Sequence, residues 1–289
     1  MATTKNPVEW SAERLWNGLR WMGDAGRAAR GEAGPVDNSA LAVADLRVDD
    51  LRAALAAGFD DMLALRTDVL ALVFVWPAVG LTIAAAAFNL ALLPSVFPAA
   101  SGFALLGPFF AIGLYELSRR REQGEDASLI HVFDVMGSPR FGAMLLLGLG
   151  LGALFVTWLV VAQVLHGFTM GGDAPISVMA FLSDIVTSPG GQAMAMLGIL
   201  TGFLFALLAL AASAVSFPLL LDRDVGLVSA VRTSMTLFAK NLRVMLIWGF
   251  IVASLLVLGS LTAFLGLMIA IPVLGHATWH LYRRAVPQA

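Results

Sequence analysis

Residues 244–282, VMLIWGFIVASLLVLGSLTAFLGLMIAIPVLGHATWHLY, run for 39 positions without Asp, Glu, Lys or Arg. At 1.5 Å per residue a single helix of that length would reach about 58 Å, nearly twice the ~30 Å hydrocarbon core of a bilayer. That is too long for one crossing and enough for two. The flanks decide the parity. Lys240 and Arg243 precede the run, Arg283 and Arg284 follow it, and cations collect on the cytoplasmic side of a membrane. Cations at both ends call for an even number of passes. We therefore expect spans at 244–260 and 263–282, with the turn inside LGSLTAFLG (258–266), where Gly259, Ser260 and Gly266 are available to form it.

Working outward, the rest of the chain has the same character. Of 289 residues, 59% are hydrophobic and 13% charged, against about 25% charged in soluble domains, and the mean hydropathy is +0.84. Further runs long enough to cross occur at 69–93, 99–117, 141–165 and 193–221. Pro77 and Gly80 are expected to kink the first, and the stretch from Pro94 to Pro98 to separate it from the second. The expectation is an all-α, six-span membrane protein. All 18 Lys and Arg then fall on one face, in residues 1–66, in the 119–140 and 223–243 connections and at Arg283–Arg284. Asp173 and Asp184 are the only charges expected opposite. That asymmetry places both termini in the cytoplasm and the protein in a bacterial inner membrane. Charges interrupt every apolar run of the first sixty residues, so no signal peptide is expected there.

Between the spans lie amphipathic pieces. Residues 1–40 read as a cytoplasmic tail, and 41–286 as the six-helix domain. Within the tail, 8–22 fits either a helix lying on the leaflet, with Leu15, Trp16, Leu19 and Met22 on one stripe, or an unstructured segment. Val48, Leu51 and Leu55 share a helical face, with Gly58 expected as a C-cap. Segments near 122–138 and 224–239 read as interfacial helices, and so does APISVMAFLSDIV (174–186) on the outside. Gly148 and Gly152 offer a small-xxx-small packing face. Pro108 and Pro272 each precede an Arg pair by eleven residues, a faint sign of repeated hairpins.

Chemistry is sparsely represented. With no Cys, disulfides, iron–sulfur clusters and thiolate zinc sites are excluded. No catalytic order of residues stands in a soluble context, and the deep half of every expected span lacks ionisable groups, which ion-coupled carriers usually keep there. We expect no enzyme activity and no nucleic-acid binding. Glu116, three residues before Arg119, reads as an interfacial ion pair. His276 and His280, four apart, share a helical face. With His131 they are the metal candidates, and with Glu116 they form the candidate polar cluster. A metal needs three or four ligands, and haem cannot take both axial ligands from i and i+4 of one helix. No cofactor is therefore expected, and His276 should need a hydrogen-bond partner near Thr278 or Glu116.

GPFFAIGLYELSRR (107–120), SFPLLLDRDVG (216–226), KNLRVMLIWG (240–249) and IPVLGHATWHLYRR (271–284) together resemble a bacterial family of predicted integral membrane proteins labelled domain of unknown function 2189. The resemblance extends over roughly 40–286. It implies location and topology and carries over no catalytic residue. Some members of that family are labelled as cytochrome oxidase subunit I, but a haem-copper subunit needs more spans and more histidines than six spans and four histidines supply. The functional expectation is a non-catalytic accessory, assembly or scaffold component, in contact with lipid and with other membrane proteins or copies of itself. The alternatives are a channel or carrier for a small neutral or weakly polar solute, and a haem- or metal-binding respiratory accessory subunit.

Overall fold

The computed structural model describes residues 40–65 and 75–287. The surface helix expected at 8–22 and the start of the first span lie outside them. Every regular element described is helical, and no β-strand occurs among the described residues. In chain order the α-helices are α1 (Val48–Ala64), α2 (Val75–Ala85), α3 (Leu93–Leu105), α4 (Gly107–Phe110), α5 (Ile112–Glu122), α6 (Phe141–Met170), α7 (Val178–Thr187), α8 (Pro189–Ser213), α9 (Ser216–Asp222), α10 (Leu227–Lys240), α11 (Leu242–Leu261) and α12 (Leu267–Ala285). Two 3₁₀ helices, Ala86–Phe88 and Leu129–Gly137, complete the set.

Among the described residues three stretches are long and apolar enough to cross a membrane: α6, α8 continued through α9, and α11. These correspond to the expected spans at 141–165, 193–221 and 244–260. The other expected spans differ. The run 99–117 is cut into α3, α4 and α5 at Leu106 and Ala111, because Pro108 has no N–H to return to the preceding turn. Nor does the stretch from Pro94 to Pro98 separate two helices. The turn lies at 89–92, Pro94 occupies the first turn of α3 and Pro98 stands inside that helix. A prolyl nitrogen is harmless in the first turn, where no intrahelical N–H bond would form anyway. The turn between α11 and α12 falls where the apolar run required. However, Gly259 and Ser260 remain helical, and the left-handed residues are Ala263 and Phe264. Gly259 instead lets Leu267 approach, since a Cβ there would lie 2.9 Å from the Leu267 nitrogen.

The centre of the molecule is α12. Eleven of its residues are buried, among them Trp279, Leu281 and Tyr282, and its largest neighbour is α1. Here the expected picture of α1 changes. It is a packed core helix, and Gly58 sits within it rather than capping it. Leu51, Ala54, Gly58 and Asp61 form its buried stripe, at the 3–4-residue spacing of one helical face. A Cβ on Gly58 would lie 2.5–2.7 Å from Ala277 backbone and side-chain atoms, so glycine is what allows the two helices to touch. Likewise α10 packs one face on the bundle, where Ala230, Thr233, Ser234 and Leu237 are buried. Of the Gly148–Gly152 pair in α6, Gly148 packs under Phe109, while a Cβ added at Gly152 would meet nothing within 4 Å. Along α7, Met179, Leu182 and Val186 stay exposed together, an arrangement that suits a helix resting on lipid.

Candidate functional site

At the charged end of α12, each polar side chain from 279 to 284 finds a partner on another element. Trp279 donates its indole N–H to Glu122 Oε2 at 2.9 Å, and Arg283 Nε donates to Glu122 Oε1 at 2.9 Å. Tyr282 OH donates to Asp222 Oδ2 at 2.6 Å, and Arg284 reaches Asp50 Oδ1 at 3.4 Å. The Arg283 guanidinium also lies 5.9 Å from the Trp279 ring centroid, within cation–π range. Four short sequences on α1, α5, α9 and α12 thereby meet at one end of the bundle.

Its heart is Asp61, a carboxylate on the buried stripe of α1 that is only 3% exposed. Oδ2 accepts from Ser118 Oγ at 2.5 Å and from His280 Nε2 at 2.8 Å, while Oδ1 accepts from Arg121 Nη1. Ser118 and Arg121 stand three apart on α5, and His276 and His280 four apart on α12, so each pair shares a face. Ser118 Oγ is also 2.8 Å from His276 Nδ1. A hydroxyl has one proton to give, and here the carboxylate takes it. We assign the Nδ1 proton to His276, which donates to Ser118 Oγ. His276 is fully buried, and its Nε2 has no hydrogen-bond partner among the described residues. The result is a hydrogen-bonded series, His280–Asp61–Ser118–His276, leading from a partly exposed ring to a fully enclosed one. Burial pushes the Asp61 carboxyl upward, but the hydrogen bonds from His280 and Ser118 outweigh it and hold the group below its ordinary 3.8.

The expected trio of Glu116, His276 and His280 is therefore divided. The two histidines share one network, and Glu116 belongs to another. On α5, positions 116 and 118 point about 200° apart, so Glu116 turns from the histidines toward Arg119 and Arg120. It accepts from Arg119 Nε at 2.8 Å, Arg119 Nη2 at 2.7 Å and Arg120 Nε at 2.9 Å. The ion pair with Arg119 is present as expected, and Glu116 itself is buried, at 2% exposure. Thr278 bonds back to Leu274 of its own helix and does not serve His276. Trp279 and Tyr282 are enclosed by protein. The third metal candidate, His131, caps a different helix through Ser128. Among the described residues no group of three or more His, Asp and Glu is placed to hold a metal ion.

Asp61, Ser118, Arg121, Glu122 and Asp222 were not singled out in the sequence. A usable signal existed for Asp61, which falls on the same helical stripe as Leu51, Ala54 and Gly58. The others sit among charges that read as ordinary helix ends.

Comparison with known families bears on location. Residues 96–222 match the family model described as Predicted integral membrane protein (DUF2189). The match is the family that the sequence resembles, over a shorter stretch than the expected 40–286. It leaves out the C-terminal histidine motif and α1. No curated protein and no solved structure matches the chain.

Proposed function

We propose that this chain is a six-pass protein of a bacterial cytoplasmic membrane, with both ends in the cytoplasm, and that it acts as a non-catalytic accessory, assembly or scaffold component of a membrane complex. The observation that carries this reading is the occupancy of the Asp61 hub. Its acceptor sites are taken by donors from α5 and α12, and its neighbours Glu122 and Asp222 are taken by the Trp279, Tyr282 and Arg283 side chains. Groups arranged in this way hold helices together. Outside, α6, α8 and α11 present large bare apolar side chains such as Val156, Leu208 and Phe250, a surface for lipid or for other membrane helices.

Purification in lipid nanodiscs without detergent exchange tests the role. The reading expects other membrane proteins at fixed stoichiometry. A lone chain that moves a neutral solute across reconstituted vesicles would overturn it in favour of a carrier. Orientation is tested separately, using the absence of native Cys. Cysteines at the exposed Asp173 and Ser177 should label from outside intact cells, and one at Gln123 only after permeabilisation. External labelling of Gln123 would overturn the topology.

A further inference from the structure

The connection between α5 and α6 holds a nine-residue 3₁₀ helix, Leu129–Gly137, where such helices seldom exceed three or four residues. With three residues per turn its side chains fall into three rows. One row faces the protein: Val135 is 5% exposed, and Val132 lies against Gly113, where an added Cβ would be 2.3 Å from Val132 Cγ1. A second row is polar and tied down. His131 bonds Ser128, and Asp134 accepts from Arg120 Nη2 at 2.9 Å. Arg120 in turn holds Glu116, so the helix is fixed to α5 from two directions.

The third row is Ile130, Phe133 and Met136, which are 65%, 50% and 50% exposed. Eclipsed on one side, they form an apolar ridge about 12 Å long at 2.0 Å per residue. Among the described residues no protein group covers more than about half of any side chain in that row. Four residues after the 3₁₀ helix ends at Gly137, Phe141 opens α6, the 30-residue apolar helix. The ridge therefore lies close in the chain to the start of a helix long and apolar enough to cross a membrane.

The geometry points to insertion of this ridge into the adjacent lipid leaflet, as a wedge that seats the α5–α6 connection at the headgroup boundary. The inference rests on the reading of α6 as a membrane span. The occupant is the acyl region of the lipid, because the row carries no polar group and stands a few residues before α6, a helix apolar enough to cross the bilayer. Phe133 and Met136 are suited to such a boundary, where apolar burial and leaflet packing supply the affinity. The polar row behind them stays at the water side, held by Arg120.

Nitroxide labels on single cysteines, in a chain with no native Cys, test this in vesicles of phosphatidylethanolamine and phosphatidylglycerol. Labels at Ile130, Phe133 and Met136 are each read against Val156, exposed on α6, as the lipid reference and Gln123 as the aqueous one. The expected result is a collision rate with oxygen, relative to a water-soluble nickel chelate, severalfold higher at all three ridge positions than at Gln123. Ridge labels that behave like Gln123 while Val156 reads as lipid would overturn the inference alone. Low collision with both reagents would also overturn it, assigning the ridge to a protein partner. A Val156 label that reads as aqueous would instead refute the membrane span on which the inference stands. Each label is independent, so a misfolded variant leaves two others to decide.

Discussion

Replacing Gly58 with Ala should loosen the molecule at its centre. An ideal Cβ at that position lies 2.7 Å from the Ala277 Cβ and 2.5 Å from its nitrogen. Non-bonded carbons settle at about 3.5–4.0 Å, so α1 and α12 must separate by roughly 1 Å. The contact is with helix backbone, which cannot swing aside as a flexible side chain could. The same displacement stretches the His280–Asp61 hydrogen bond from 2.8 Å beyond useful range. Overpacking of this kind costs about 1–3 kcal/mol, and loss of a hydrogen bond to a charged group about 1.5–3 kcal/mol. Alanine returns up to about 1 kcal/mol through helix propensity. A net loss of roughly 1.5–5 kcal/mol remains, worth about 2–8 °C in melting midpoint for a chain of this length. Gly150→Ala is the matched control, since that glycine is exposed within α6 and has nothing within 4 Å. The assay is heat treatment of the solubilised protein followed by size-exclusion of the surviving monodisperse fraction. If Gly58→Ala survives as well as Gly150→Ala, the close α1–α12 contact is refuted.

Asp61→Asn should lower the melting midpoint at neutral pH, and the difference from the native chain should persist on acidification until the native carboxylate itself is protonated. Because that carboxyl lies below 3.8 in the folded state, its stabilisation is complete above 3.8 and disappears as pH falls through the lower folded value. A gap that closes already near pH 6 would assign the dependence to the histidines instead. Glu116→Gln, read by the same heat assay, should cost well over the 1 kcal/mol of an exposed pair, about 3 kcal/mol, because three guanidinium hydrogen bonds converge on a buried carboxylate. A loss under about 0.5 kcal/mol would mean that the pair is solvated. Purified protein should carry no Soret band and substoichiometric transition metal by elemental analysis. One tightly held metal per chain, lost in both His276→Ala and His280→Ala, would contradict the assignment of these rings to Asp61 and Ser118.

The long apolar helices were legible because twenty or more consecutive apolar residues permit few other structures. The stretches 141–165, 193–221 and 244–260, free of Asp, Glu, Lys and Arg, lie within the long apolar helices of the fold. Proline made the difference elsewhere. The run 99–117 has the hydropathy of a span, but Pro108 divides it into pieces. Of the site, the histidine pair stood out through its i, i+4 spacing, and the Glu116–Arg119 pair through i, i+3. Asp61 was harder to find because its partners lie 57 to 219 residues away in sequence. Local periodicity shows which face of α1 is buried, but not that this face is pressed onto α12. The same holds for Gly58, whose chain position suggests a helix end until Ala277 is set against it.

The C-terminal histidine pair is a structural fastening closed on Asp61, directly through His280 and by way of Ser118 from His276. A double-mutant cycle of Asp61→Asn and His280→Gln, with stability measured on the two single variants and the pair, addresses it directly. If the two side chains are bonded as described, the second substitution costs little once the first is made, and the coupling is about 1 kcal/mol or more. Losses that add to within about 0.3–0.5 kcal/mol would show two independent groups, and the fastening would be wrong.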